Sequence, residues 1–128
     1  MTHILIAEDD DLVRSMLKTT LESEGYVVTV ARDGEEAISI LHSYPAALVV
    51  TDILMPHKEG LETIIEARKM IPGIKIIAIS GGGRVSPNIY LENATVLGAD
   101  RIFVKPIDQS ELLSAISELL AEKADASR

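Results

Sequence analysis

Five short apolar runs, separated by longer amphipathic stretches, constrain this chain more than any other feature. The runs are His3–Ala7, Val27–Ala31, Ala47–Thr51, Lys75–Ile79 and Ile102–Val104. Each is too short for a helix, and most are unbroken rather than alternating. Runs of this kind read as strands buried on both faces, as in a parallel sheet. The stretches between them carry apolar residues at helical spacing. Asp11–Glu24 places Leu12, Val13, Met16, Leu17, Thr20 and Leu21 on one stripe, and Gly25 supplies a stop. Asp33-Gly34-Glu35-Glu36 opens a second helix with acids in the first turn, where the helix dipole favours them, and Ala37, Ile38 and Leu41 continue it. Leu61–Met70 is a third, closed by Pro72-Gly73, and Asn88–Leu97 a fourth, stopped by Gly98. Asp108-Gln109-Ser110-Glu111 resembles a capping box ahead of a fifth, with Leu112, Leu113, Ile116, Leu119 and Leu120.

The pattern is strand–helix repeated five times, which implies an α/β fold with helices on both faces of a parallel sheet. At 128 residues the chain has the size of one domain and can bury a core without staples. With 47% hydrophobic but only 3% aromatic residues, that core is aliphatic. We expect one domain over residues 1–123, a frayed tail over 124–128, and no output domain after it.

Composition removes several functions. The absence of cysteine excludes disulfides, thiolate metal sites and cysteine nucleophiles. A net charge of −8 argues against a nucleic-acid-binding surface, which needs clustered Lys and Arg. No apolar stretch approaches the ~20 residues of a membrane span. The start is not a signal peptide, because acids follow its apolar run almost at once. The expected location is cytoplasmic.

In open parallel sheets, ligands bind beyond the carboxyl ends of the strands. Here those ends are polar. The first run leads into Glu8-Asp9, the third into Asp52, the fourth into Ser80, and the fifth into Lys105-Pro106. Two carboxylates ~4 Å apart repel by about 4 kcal/mol at an effective dielectric near 20. Convergence of Glu8, Asp9 and Asp52 therefore calls for a cation, and an all-oxygen site favours Mg²⁺ or Mn²⁺. The plainer alternative is that Asp9-Asp10-Asp11 merely caps a helix. Lys105 can neutralise a phosphoryl group or pair with Asp52, and the Ser80 hydroxyl can donate to a phosphoryl oxygen. Gly60 can take positive φ in the loop after Asp52. His57 reads as a solvated loop residue, and His3 and His42 as structural or surface residues.

Taken in order, Glu8-Asp9, Asp52, Met55-Pro56…Gly60, Ser80-Gly81 and Lys105-Pro106 resemble the receiver domain of bacterial response regulators, over roughly residues 3–122. The resemblance implies a doubly wound, flavodoxin-like (βα)5 fold with strand order 2-1-3-4-5. It implies that Asp52 is the phospho-acceptor, served by a sensor histidine kinase or a histidine phosphotransfer protein. Asp9 is then a direct Mg²⁺ ligand, Glu8 its acidic neighbour acting through water, and the backbone carbonyl of Leu54 a further ligand. Ser80 becomes the switch hydroxyl and Lys105 the phosphate-binding cation, with a cis bond to Pro106. The resemblance further implies a signalling domain rather than an enzyme, a monomer or transient dimer. Its downstream protein would dock on the face made by the fourth helix, fifth strand and fifth helix, where Tyr90, Ile102 and the outer side of Gln109–Lys123 are candidates.

The sequence departs from the family in two places. Ile102 stands where an aromatic residue is usual, and the neighbouring Phe103 has the wrong strand parity to replace it. The loop after Ser80, with Gly81–Gly83, is longer than usual. Leu54 and Gly82, at positions that often influence hydrolysis, cannot orient water by a side-chain hydrogen bond. Two other classes fit parts of the pattern. A phosphorylation-independent scaffold would tolerate Ile102. A phosphatase with an aspartate nucleophile would carry a second acid two residues after Asp52, where Leu54 stands.

Overall fold

The computed structural model describes residues 2–53, 60–80 and 98–126, with side chains as far as residue 122. The described strands are β1 (His3–Ala7), β2 (Val27–Ala31), β3 (Leu48–Asp52), β4 (Lys75–Ser80) and β5 (Arg101–Val104). They form one parallel sheet in the order β2-β1-β3-β4-β5. The described helices are α1 (Asp11–Ser23), α2 (Gly34–Ser43), α3 (Gly60–Met70) and a C-terminal helix, Gln109–Ala126. The order reverses at β1, which pairs with β2 on one side and β3 on the other. The carboxyl ends of β1 and β3 therefore open one crevice.

Strand parity sorts the core into two layers. Leu5, Ala7, Val49, Ile76 and Ala78 point to the face covered by α2 and α3, where Ala37, Ile38, Leu41, Ile64 and Ala67 meet them. Ile4, Ile6, Leu48, Val50, Ile77 and Ile79 point to the other, against Leu17 and Leu21 of α1 and Leu112, Ala115, Ile116 and Leu119 of the C-terminal helix. Burial on both faces is why these strands read as unbroken apolar runs.

Helix starts follow the acids. The Asp10 carboxylate caps α1 by accepting from Val13 N–H at 3.1 Å, Asp33 caps α2 through Glu36 N–H at 2.8 Å, and Asp108 caps the C-terminal helix through Glu111 N–H at 3.0 Å. Gly25, after α1, has φ +90°. Such a conformation suits glycine at a helix end.

Several boundaries move by a residue. Asp52 belongs to β3, in register with Ile79. Ala47 falls outside it, although its N–H and C=O bond His3 and Lys75. The C-terminal helix runs to Ala126, beyond the start of the expected frayed tail. The helix expected over Asn88–Leu97 lies outside the described residues, as do Leu54, His57, Gly81–Gly83 and Tyr90.

Gly60 differs from expectation in its reason. The described glycines with positive φ are Gly25 and Gly98. Gly60 instead begins α3 pressed against the end of β3. A Cβ there would stand 2.1 Å from the Asp52 carbonyl oxygen and 2.6 Å from Ile53 Cα. Its N–H donates to Ile53 O at 2.8 Å.

Candidate phosphoryl-transfer site

The ends of β1, β3, β4 and the segment after β5 bring Glu8, Asp52, Ser80 and Lys105 together. Glu8, Asp52 and Ser80 are buried, while the neighbouring Asp9 is exposed. One carboxylate oxygen from each of Glu8, Asp9 and Asp52 lies within 4.8 Å of the others. The capping alternative and the cluster coexist. Asp10 takes the cap, which leaves Asp9 to the cluster.

Lys105 contacts two of the three acids. Its Nζ donates to Asp52 Oδ2 at 2.8 Å. It also lies 2.8 Å from Glu8 Oε1, an ion pair without hydrogen-bond alignment. The peptide bond from Lys105 to Pro106 is cis, and Lys105 N–H bonds Ser80 O at 2.8 Å, tying this segment to the end of β4.

Burial dominates the electrostatics of Glu8. Loss of solvent pushes its carboxyl up from 4.5 to about 7, with the nearby Asp52 charge adding to the rise. The Lys105 ammonium and the Asp10 N–H, which bonds Glu8 Oε2 at 3.0 Å, pull the other way and lose. Lys105 shows the opposite balance. Burial favours its neutral form, but its contacts with Asp52 and Glu8 outweigh that and raise it above the usual lysine value. Below neutrality Glu8 therefore holds a proton while Lys105 stays charged.

Ser80 Oγ is buried and has no hydrogen-bond partner among the described residues. Leaving a buried hydroxyl unsatisfied costs roughly 1–3 kcal/mol. A pocket of about 440 Å³ flanks Lys105, lined also by Val13, Met16, Pro106 and Ile107. Leu12, one turn from Met16, is 83% exposed.

A family model for the response regulator receiver domain matches residues 4–117. The chain belongs to that family. Among curated relatives, the transcriptional regulatory protein GlrR of Escherichia coli is 31% identical over 124 residues, 97% of this chain and 27% of the relative. The response regulator SaeR of Staphylococcus aureus is 36% identical over 94% of this chain and 51% of its own length. The receiver domain thus spans about a quarter to a half of the curated relatives it matches. A crystal structure of a CheY-like receiver domain protein from Methanospirillum hungatei superposes with a TM-score of 0.87 at 32% identity, covering 98% of both chains. The receiver domain from Clostridium thermocellum gives 0.85 at 26% identity, over 97% of this chain and 98% of that one.

Sequence reasoning assembled Glu8, Asp9, Asp52, Ser80 and Lys105, and the described structure brings all five to one sheet edge. It did not find that Lys105 bridges both buried acids. It also missed Arg14, whose guanidinium bonds the Glu8 carbonyl. The signal for Arg14 was slight, an acid–base spacing of three between Asp11 and Arg14. Parity does separate Ile102 from Phe103. Phe103 pairs with Ile79 and packs into the layer under α1, while Ile102 pairs with Ala78 on the opposite face.

Proposed function

We propose that this receiver domain is a phospho-acceptor switch in which Asp52 takes a phosphoryl group from a phosphohistidine. The observation that carries the reading is the pairing of Lys105 Nζ with Asp52 Oδ2 at 2.8 Å, near a buried Ser80 hydroxyl that has no hydrogen-bond partner among the described residues. A buried nucleophilic carboxylate with a cation and a free donor beside it suits a site that must receive three new anionic oxygens.

The donor set fits a hard divalent ion. Glu8, Asp9 and Asp52 supply oxygen alone, their acids are crowded, and Glu8 Oε1, although 2.8 Å from Lys105 Nζ, has no aligned hydrogen bond among the described residues. Mg²⁺ is the proposed ion, with Mn²⁺ an alternative, and the Leu54 carbonyl would be a further ligand. When bound, the ion offsets charge on the carboxylates and on the phosphoryl oxygens.

An Asp52 carboxylate oxygen attacks phosphorus opposite the histidine nitrogen. A P–O bond forms as the N–P bond breaks, and the electron pair stays on the imidazole, which ends as neutral histidine after taking a proton from solvent. Lys105 turns from Asp52 Oδ2 to a phosphoryl oxygen, and Ser80 Oγ donates to another. Those new bonds bias the sheet edge toward a second arrangement, which a partner reads. Hydrolysis later resets Asp52, and with Leu54 and Gly82 unable to orient water it is limited by access.

The phosphodonor is a sensor histidine kinase or a phosphotransfer protein. Exposed Leu12 and the apolar pocket beside Lys105 offer contacts for it. The downstream partner is a protein, rather than nucleic acid, docking on the face of β5 and the C-terminal helix together with the helix expected over Asn88–Leu97, which lies outside the described residues. The domain acts as a cytoplasmic monomer or transient dimer over residues 1–123. No helix among the described residues is long and apolar enough to cross a membrane.

The test is incubation with Mg²⁺ and acetyl phosphate followed by intact-mass measurement. A single added phosphate that requires Mg²⁺ and disappears in Asp52→Asn supports the reading. No addition, or one that survives Asp52→Asn, overturns it.

A further inference from the structure

Residues 8–11 are four consecutive acids: Glu8-Asp9-Asp10 form the tight turn between β1 and α1, and Asp11 begins α1. Left alone, such a turn would spread its charges. Its backbone is fixed at several points. Glu8 N–H donates to Ala31 O at 3.0 Å, and Asp10 N–H donates to Glu8 Oε2 at 3.0 Å. The remaining anchor comes from α1. Arg14 Nη1 donates to the Glu8 carbonyl at 3.0 Å, and Nη2 pairs with the Asp11 carboxylate.

The Asp11 contact alone is an ordinary helix-surface pair, since Asp11 is 83% exposed, and such pairs contribute little. The contact with Glu8 is of another kind. The Arg14 side chain is only 16% exposed and reaches back across the turn to a backbone carbonyl. That carbonyl belongs to the peptide joining Glu8 to Asp9. Its orientation sets the direction in which both carboxylates leave the chain.

We propose that Arg14 is a positioning residue for the cation site: its fork holds the Glu8–Asp9 peptide so that both acids converge with Asp52. The inference rests on the phospho-acceptor reading and its divalent ion. It predicts an effect opposite in sign to simple electrostatics. Arg14 is a cation near a cation site, so removing its charge should by itself tighten Mg²⁺ binding. Removing a group that orients ligands weakens binding, commonly by 10-fold or more.

The experiment is titration of chelator-stripped protein with MgCl₂, following backbone amide resonances, for wild type, Arg14→Met and Arg14→Lys. Arg14→Met should raise the Mg²⁺ Kd about tenfold. Arg14→Lys keeps the charge but lacks the fork, and should weaken binding about threefold. In the metal-free protein the Asp9 and Asp10 amides should shift in both variants. At saturating Mg²⁺, phosphorylation by acetyl phosphate should return to within about twofold of wild type, because the defect lies in occupancy rather than in the reacting groups.

A Kd in Arg14→Met equal to or below that of wild type overturns the proposal, as does a phosphorylation rate that stays depressed at saturating Mg²⁺. If Arg14→Met does not fold, Arg14→Lys decides by the same criterion. Failure of wild type to bind Mg²⁺ overturns the phospho-acceptor reading and this inference together. Binding by wild type with no change in either variant overturns this inference alone.

Discussion

At the proposed Mg²⁺ site, Glu8 should make affinity a steep function of pH near neutrality. Its carboxyl is lifted from 4.5 to about 7, chiefly by burial. The proton and the divalent ion compete for the Glu8 carboxylate, whether it meets the ion directly or through a water, so binding expels the proton. The apparent Kd then scales as one plus the ratio of protonated to ionised Glu8. That factor is about 1.1 at pH 8 and about 11 at pH 6, so Kd rises about tenfold between them. Lys105, already charged and raised further by its acidic neighbours, stays protonated throughout and does not offset the change. Calorimetric titration with MgCl₂ in two buffers of different ionisation enthalpy reads both quantities. It should find about 0.9 proton released per ion at pH 6 and about 0.1 at pH 8. Glu8→Gln should bind more weakly but lose this pH dependence. A wild-type Kd that is flat from pH 6 to pH 8, with no proton release, would refute the reasoning.

The same shift acts on stability, because between pH 4.5 and about 7 the folded chain holds a proton that the unfolded chain has lost. Glu8 thus lowers stability as pH rises through that window, by about 3 kcal/mol in total, and thermal unfolding in a chelator should show the fall while an unchanged Tm would count against it. Lys105→Met leaves two buried acids without their cation and should cost about 2 kcal/mol in metal-free urea unfolding at neutral pH, less than for a fully enclosed pair because Lys105 keeps some solvent contact; a wild-type midpoint would contradict this. Gly60→Ala forces a Cβ toward the Asp52 carbonyl and should cost about 1–3 kcal/mol while slowing Asp52 phosphorylation, whereas a variant matching wild type in both would remove the close-approach argument. Arg68 pairs with the Gly98 carbonyl and with Asp100, whose carboxylate also accepts from Ile76 N–H at 2.8 Å; Arg68→Met should lower stability by about 1 kcal/mol and speed exchange of the Ile76 amide, and unchanged exchange would speak against that link.

Much of this was legible in the sequence because burial on both faces leaves a plain mark. The five strands, their parity and the described helices follow from where the aliphatic residues fall. The polar residues closing each strand were legible for the same reason, since a charge ending an apolar run stands out. What could not be read depends on distances between elements. Whether Asp52 ends β3 or follows it is decided by pairing with Ile79 on β4. That Glu8 titrates near neutrality depends on its complete burial beneath Lys105. The need for glycine at position 60 comes from the approach of α3 to β3, not from a turn. The contact of Arg14 with the Glu8 carbonyl depends on how the turn between β1 and α1 folds back on the helix.

The central claim is that Asp52 is a transient nucleophile, and the most direct measurement locates the phosphoryl group chemically. An acyl phosphate on aspartate is reduced by borohydride to homoserine, which tandem mass spectrometry assigns to a position. Protein phosphorylated by acetyl phosphate with Mg²⁺ and then reduced should carry homoserine at position 52. Homoserine at position 9 instead, a borohydride-resistant phosphate on Ser80, or no conversion at all would contradict the account.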